Sequence, residues 1–190
     1  MYILIGGQPG TGKTTLAQNL SRKFNALYLS TDNLKMFARA INSADPFIST
    51  DSHSAWEKFG RKTPANIIKG YRAHNQSLEK LLLAVIKQAA AVNKHLIIEG
   101  VQVTPAIYRQ LTGEKLAVYL DLPQRKVHTK IFAKKNSARI NENTLWNKNY
   151  DAITLINGHA KAAASVAGFT ILQHQTASKL TKIVINKIRL

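Results

Sequence analysis

Short apolar runs alternate along this chain with stretches in which apolar residues recur at helical spacing. "YILIG" (Tyr2 to Gly6) reads as a buried strand, and Leu16, Leu20 and Phe24 then fall every four residues on one helix face. "ALYLS" (Ala26 to Ser30) is a second strand. A helix from about Asp32 to Ile41 follows, with Asp32 or Thr31 able to cap it. "DPFISTDSHSAWEKFG" has Pro, Ser and Asp but little periodicity and is expected to be mostly loop. Pro64 opens a long helical region with an apolar stripe through Leu78, Leu81, Leu82, Val85, Ile86 and Ala89. "HLII" (His95 to Ile98) is a third strand, ended by Glu99-Gly100, and Pro105 opens a short helix. "KLAVYLDL" (Lys115 to Leu122) is a fourth strand, and Pro123 starts a basic helix. A helix from about Asn147 to Ala167, a fifth strand "FTIL" (Phe169 to Leu172) and an amphipathic helix over about Ala177 to Ile188 complete the pattern. Strands separated by helices argue for βα units and a parallel sheet.

Directly after the first strand comes "GGQPGTGKTT", which contains Gly7-x4-Gly12-Lys13-Thr14. A phosphate chain is held by consecutive backbone N–H groups aimed at one spot. Glycines at 7, 10 and 12 permit the necessary dihedrals and the close approach. The helix starting near Lys13 adds the positive end of its dipole. Lys13 would reach the β- and γ-phosphates, the Thr14 hydroxyl would hold Mg²⁺, and Thr15 would bind the α-phosphate. Gly7, Gly10, Thr11, Gly12, Lys13, Thr14 and Thr15 are thus the candidate nucleotide-binding residues. The apolar strand before the loop and the apolar-periodic helix after it give the motif its proper context. The expected fold is α/β: a three-layer P-loop NTPase domain of the nucleoside-monophosphate-kinase-like kind, with a five-stranded parallel sheet flanked by helices over residues 1–190.

Acids are scarce, so those at strand ends stand out. Asp32 follows the second strand, and the carboxyl ends of parallel strands line the ligand crevice. It is placed to accept a hydroxyl proton from an acceptor or to hold that hydroxyl in line; a helix cap is the competing structural role. Glu99 ends the third strand and is a candidate for holding Mg²⁺ through water or for binding substrate, against the alternative of an ordinary strand end. Asp121 is read as a turn or cap. The six histidines show no metal-ligand spacing, and His128 alone sits among basic residues.

Charge changes the picture further. Twenty-seven Lys and Arg against ten Asp and Glu give a net charge of +17. Such a field attracts polyanions, whether nucleotides, phosphorylated metabolites or nucleic acid. Arg125, Lys126, Lys130, Lys134, Lys135 and Arg139 occur with no acid among them. Helical spacing puts Lys126, Lys130 and Lys134 on one face. A basic helix over about 123–140 can act as a lid that excludes water and neutralises developing charge; a solvated charged helix is the plainer alternative. Lys13, Asp32 and, from the lid, Arg125 are the candidate catalytic residues. The chain has no cysteine and no apolar run near the roughly 18 residues that span a bilayer. "MYILIGG" is too short for a signal peptide and lacks a basic start, so the expectation is a soluble, cytoplasmic protein without a membrane partner.

"GGQPGTGKTTLA", "LSTDNLKMFAR", "DSHSAW", "LIIEGVQVTP" and "NYDAITLINGHAKAAASVAGFTIL" together resemble 2-phosphoglycerate kinase, within the wider group of P-loop small-molecule kinases. The resemblance covers most of the chain. It implies ATP- and Mg²⁺-dependent phosphorylation of a phosphorylated hydroxy acid, with 2,3-bisphosphoglycerate as the product in that family. By position it implies that Lys13, Thr14 and Thr15 bind nucleotide phosphates and metal, that Asp32 faces the acceptor, and that Arg39 and Glu99 line the acceptor pocket, with Lys35 beside them. Three departures lie on the acceptor side: Lys35 stands where the family has Arg, Gln102 where it has His, and Ser52-His53-Ser54 replaces Ser-Ser-Tyr. Lys cannot make the two parallel hydrogen bonds of an Arg fork.

Other acceptors remain open. The net charge favours a nucleic-acid 5′ end, although no aromatic-interleaved basic stripe supports it. A nucleotide-sugar, as in zeta-type toxin kinases, is a further alternative, as is a module that binds ATP without transferring phosphate. Oligomeric state is not legible.

Overall fold

The computed structural model describes residues 1–42, 44–93, 95–135 and 140–188, with side chains described outside 132–147. Five strands, β1 (Tyr2–Gly7), β2 (Leu27–Ser30), β3 (Leu96–Gly100), β4 (Lys115–Leu120) and β5 (Thr170–Leu172), form one sheet in the order β2-β3-β1-β4-β5. All neighbouring pairs are parallel. The helices are α1 (Lys13–Phe24), α2 (Thr31–Ile41), α3 (Pro64–Val92), α4 (Pro105–Gln110), α5 (Arg125–Lys135), α6 (Ile140–Val166) and α7 (Ala177–Ile188).

Alternate residues of a strand face opposite sides of a sheet, and this divides the core in two. Ile3, Ile5, Ile97, Val118 and Leu120 pack on one side with Leu16 and Leu20 of α1 and Leu180 and Val184 of α7. Leu4, Leu96, Ile98, Ala117 and Tyr119 pack on the other with Leu78, Leu82 and Ile86 of α3 and Ile156 and Ala160 of α6. Burial on both faces explains why β1 reads as a continuous apolar run instead of an alternating one. Each fully buried side chain of this size contributes about 2 kcal/mol. The chain passes from β1 to one side of the sheet, returns through β3, and continues to β4 on the other side of β1. The crevice at the carboxyl end of β1, where that reversal occurs, is where open parallel sheets bind ligands.

The helix starts follow local chemistry. Thr63 accepts a hydrogen bond from Asn66 N at 3.2 Å and is followed by Pro64, and Thr104 accepts from Ile107 N at 3.4 Å and is followed by Pro105. The start of α2 differs from expectation. Ser30 is its N-cap residue and no side chain caps it, because the Thr31 hydroxyl is directed to Gln102 instead. Helix α6 begins at Ile140, earlier than the apolar pattern indicated, since its polar first turns carry no stripe. The segment expected to be mostly loop holds one short 3-10 helix, Ala55–Phe59. Among the described residues no helix is long and apolar enough to cross a membrane.

That short helix lies directly on α3. A Cβ at Gly70 would stand 2.6 Å from the Ala55 carbonyl carbon and 2.8 Å from Trp56 Cα. Replacing a helical glycine by alanine ordinarily stabilises by about 1 kcal/mol. Here the backbone contact reverses the sign: Gly70→Ala is expected to destabilise by about 1–3 kcal/mol in denaturant titration, and a stabilised variant would contradict the packing.

Candidate active site

The turn out of β1 is shaped by three glycines with positive φ: Gly7 (143°), Gly10 (79°) and Gly12 (95°). At Gly7 space is also limiting, since a Cβ there would lie 2.6 Å from the Leu120 carbonyl oxygen. Gly12 is the N-cap of α1 in the left-handed conformation, so the free N–H groups of that helix open onto the loop. The Gln8 carbonyl accepts from Lys13 Nζ at 3.0 Å and from Thr11 Oγ1 at 2.8 Å, fixing the loop from inside.

A cavity of about 400 Å³ opens over this loop, lined by Pro9, Gly10, Gly12, Lys13, Thr14, Thr15, Asp32 and Ile131. Five of the seven candidate loop residues, Gly10, Gly12, Lys13, Thr14 and Thr15, therefore meet Asp32 in one space, although 17 positions separate Thr15 from Asp32 in the chain; Gly7 and Thr11 do not line it. Asp32 is exposed there, in the first turn of α2. A neighbouring cavity of about 290 Å³ shares Gly10, Gly12, Thr15 and Ile131 and extends to His174, Thr176 and Leu180.

Glu99 lies beneath the loop, 2% exposed. Its Oε1 accepts from Thr14 Oγ1 at 3.3 Å and from Tyr28 OH at 2.8 Å. Burial, and then the adjacent Glu99 charge, push the Tyr28 hydroxyl pKa well above its ordinary value, so Tyr28 stays a donor. Among the described residues no cation pairs with Glu99. A hydroxyl beside a buried carboxylate is the hard-oxygen donor set that suits Mg²⁺, so Thr14 and Glu99 fit the ion they were expected to hold.

Lys35 and Arg39, expected on the acceptor side, are engaged within the protein. Lys35 Nζ donates to Asp51 Oδ1 at 2.9 Å, and Arg39 Nη2 reaches the same oxygen at 3.1 Å. Arg39 also donates to the carbonyls of Ile48 (2.7 Å) and Thr50 (2.8 Å). Burial opposes ionisation of Asp51, but Lys35 and then His53 and Arg39 outweigh it and hold its carboxyl well below the usual range. Lys35 and Arg39 thus shape the 45–54 loop through Asp51, a residue singled out only as part of the "DSHSAW" segment.

A second set of contacts was not legible in the sequence. Thr31 Oγ1 donates to Gln102 Oε1 at 2.6 Å, Gln102 Nε2 lies 3.0 Å from His74 Nε2, and His74 Nδ1 lies 2.7 Å from the Phe47 carbonyl. A carbonyl can only accept, so His74 carries its proton on Nδ1 and accepts from Gln102 on Nε2. Burial pushes its pKa down to about 4. Gly100 makes room for this chain: it has φ 147°, and a Cβ there would collide with Thr31 Oγ1.

Asp121, expected in a turn, does accept from Leu122 N at 2.9 Å. It is also buried and accepts from Asn157 (2.8 Å), Lys161 (2.9 Å) and Gln173 (3.2 Å), which joins β4 to α6 and to the chain beyond β5. Asn157 in turn accepts from Tyr119 OH at 3.1 Å, and Tyr119 accepts from Gln8 Nε2 at 3.4 Å. His128 is 2% exposed, with Nε2 2.9 Å from the Pro9 carbonyl, so α5 docks on the loop through it. Arg125 stacks over the Tyr150 ring at 4.8 Å. The side chains of Lys134, Lys135 and Arg139, the far part of the expected lid, lie outside the described residues. Among the described residues Trp56 Nε1 and Asn149 Oδ1 are buried without a hydrogen-bond partner; both fall in segments that carry the resemblance, but nothing in the sequence marked these atoms.

Residues 3–146 match the model of a family described as an AAA domain. The chain is 31% identical to mevalonate-3-phosphate 5-kinase of Thermoplasma acidophilum over 125 residues, covering 64% of this chain and 62% of that protein. It is 21% identical to 2-phosphoglycerate kinase of Methanocaldococcus jannaschii, covering 100% of this chain and 64% of that protein. The chain therefore spans less than two thirds of the length of these curated relatives. Among solved structures, shikimate kinase from Bacteroides thetaiotaomicron superposes with a TM-score of 0.56 at 16% identity, covering 100% of this chain and 99% of that one. Deoxyadenosine kinase from M. mycoides with bound dATP gives 0.53 at 13% identity, with both chains fully covered. These likenesses establish the fold.

The protonation of His74 gives a stability test. Its folded pKa of about 4 lies below the unfolded value of about 6.5, so the unfolded chain binds more protons between those values. Stability is then expected to fall as pH drops from about 6.5 towards 4, with His74 contributing up to about 1 kcal/mol per pH unit. Denaturant titration across that range should give a shallower pH slope for His74→Gln than for the wild type; equal slopes would contradict the neutral histidine.

Proposed function

This chain belongs to the AAA domain family, and we propose that it is an ATP-dependent phosphotransferase that moves the γ-phosphate to a hydroxyl of a small phosphorylated acceptor such as 2-phosphoglycerate. The observation that carries this reading is the exposed Asp32 carboxylate on the wall of the same cavity as Gly10, Gly12, Lys13, Thr14 and Thr15. A loop alone would bind a nucleotide. A carboxylate facing it supplies the group that a transfer needs on the acceptor side.

The phosphates of ATP lie along the loop N–H groups and the start of α1, with Lys13 turning to the β- and γ-phosphates. The nucleoside occupies the adjoining space bounded by His174, Thr176 and Leu180. Thr14, with Glu99 behind it, would hold Mg²⁺, which when bound would supply positive charge against the phosphates. Asp32 accepts the proton of the acceptor hydroxyl as its oxygen bonds to the γ-phosphorus and the bond to the β-phosphate oxygen breaks, leaving ADP. Arg125 and the rest of α5 close over the transferring group.

The names of two relatives support a phosphorylated acceptor, since both 2-phosphoglycerate and mevalonate 3-phosphate carry a phosphate already. Such an acceptor is anionic and suits a chain of net charge +17. The Lys35–Asp51–Arg39 cluster, on the same helix α2 as Asp32 and on the 45–54 loop, is the feature that would select it. The same charge favours a second reading, phosphorylation of a nucleic-acid 5′ end. That reading requires oligonucleotide binding that weakens steeply with salt.

Two measurements test the proposal. Purified protein with ATP and Mg²⁺ should phosphorylate 2-phosphoglycerate or another phosphorylated hydroxy acid in a coupled ADP assay; turnover of none of them would exclude this acceptor class. Asp32→Asn should lower turnover by about 10²–10⁴-fold while ATP affinity, measured by calorimetry, stays within a few-fold. Unchanged turnover would remove Asp32 from the mechanism.

A further inference from the structure

On the opposite side of the central strand from α1, a cavity of about 240 Å³ lies between α3, α4 and α6. It shares no lining residue with the cavity over the phosphate loop. Its existence follows from sequence. Helix α6 contributes Ala160, Ala163 and Ala164, whose side chains are too short to fill the space opposite Tyr71 of α3 and Pro105 of α4. Tyr119 forms part of its wall, so the pocket borders the hydrogen bonds that run from Tyr119 to Gln8 of the loop.

The polar groups of this pocket describe what it would take. Asn75 is 9% exposed, and among the described residues its Oδ1 is buried without a donor. A buried amide oxygen in that state calls for an N–H or O–H from an occupant. Arg72 and Arg109 also line the pocket. Arg72 Nη2 lies 3.4 Å from His159 Nε2, and burial together with Arg72 lowers the His159 pKa, so His159 adds no charge. The one acid of the lining, Glu79, accepts from Gln110 at 2.7 Å. Two guanidinium groups against one engaged carboxylate leave the mouth positive, and guanidinium matches carboxylate and phosphate geometry. Gln76 and Thr104 add neutral polar groups, and the rest of the wall, with Val103, Pro105, Tyr71 and the alanines, is apolar.

We propose that the pocket between α3, α4 and α6 is a second binding site, for a small organic anion with a compact apolar body, a carboxylate or phosphate at one end and a hydroxyl or N–H donor at the other. The anion meets Arg72 and Arg109, the body lies on Ala160, Ala163 and Val103, and the donor reaches Asn75 Oδ1. The pocket shares no lining residue with the cavity that holds Lys13 and Asp32, so its occupant is proposed as separate from the phosphate acceptor. The proposal does not depend on the transfer reaction.

The test uses the full chain with Mg²⁺ and saturating ADP, which occupies the loop cavity. The probes are 4-hydroxybenzoate and phenyl phosphate, with benzyl alcohol as the uncharged control. Calorimetry should show saturable binding of at least one anionic probe, with benzyl alcohol weaker by about tenfold or more. Ala163→Leu, which fills the space, and the double variant Arg72→Ala/Arg109→Ala should each weaken binding by about tenfold or more. Thermal unfolding identifies whether each variant is folded. One acts on volume and the other on exposed charge, so the loss of one fold leaves the other informative. Binding of neither anionic probe, binding unaffected by a folded variant, or binding abolished by ADP would each overturn the proposal.

Discussion

A carboxylate at the end of a central strand, out of reach of water, is the constraint around which the donor half of this molecule is organised. Moving an unpaired carboxylate into the interior costs several kcal/mol unless hydrogen bonds or a cation offset it. Glu99 obtains donors from two elements at once, Thr14 of α1 and Tyr28 of β2. Both contacts depend on the strand order, because β3 lies between β1 and β2 and brings their ends beside its own. The glycines on either side serve the same geometry. Gly7 lets β1 turn against the Leu120 carbonyl, and Gly100 lets β3 turn against Thr31. Nucleotide loop, acid and helix α2 are thereby fixed relative to one another by the sheet itself.

Most of this framework was legible because its signals are local. An apolar run, a glycine loop and an apolar-periodic helix each have a periodicity that survives without knowledge of partners. The positions of Asp32 and Glu99 were legible by the weaker rule that strand ends face the crevice, and Asp32 does line the loop cavity. What escaped depends on contacts between distant segments. Nothing near Gln102 in sequence shows that it meets Thr31 and His74, or near Asp121 that it collects Asn157, Lys161 and Gln173. The cap of α2 was misread for the same reason. Thr31 has the chemistry of a cap, but a partner elsewhere in the fold competes for its hydroxyl.

Lys35 and Arg39 show how cationic side chains can be engaged within the protein before any ligand is present. Their charges are directed at Asp51, and Arg39 also holds two loop carbonyls. An Arg39 with its donors divided in this way determines the course of residues 45–54, and so the outline of whatever lies beside it. Lysine at 35 is then a less costly departure than it looks from the sequence, because a single contact to Asp51 Oδ1 needs no fork.

The Thr31–Gln102–His74–Phe47 chain has one direction in which every donor meets an acceptor, beginning at a hydroxyl and ending at a carbonyl. An amide at its centre offers an acceptor and a donor at the same time and does not ionise. A histidine in that place would do both only in one tautomer, and would add a second titrating ring beside His74. Glutamine at 102 therefore leaves the connection between β3 and α3 with a single proton-sensitive link, the His74 ring, so this half of the molecule answers to acid at one point instead of two.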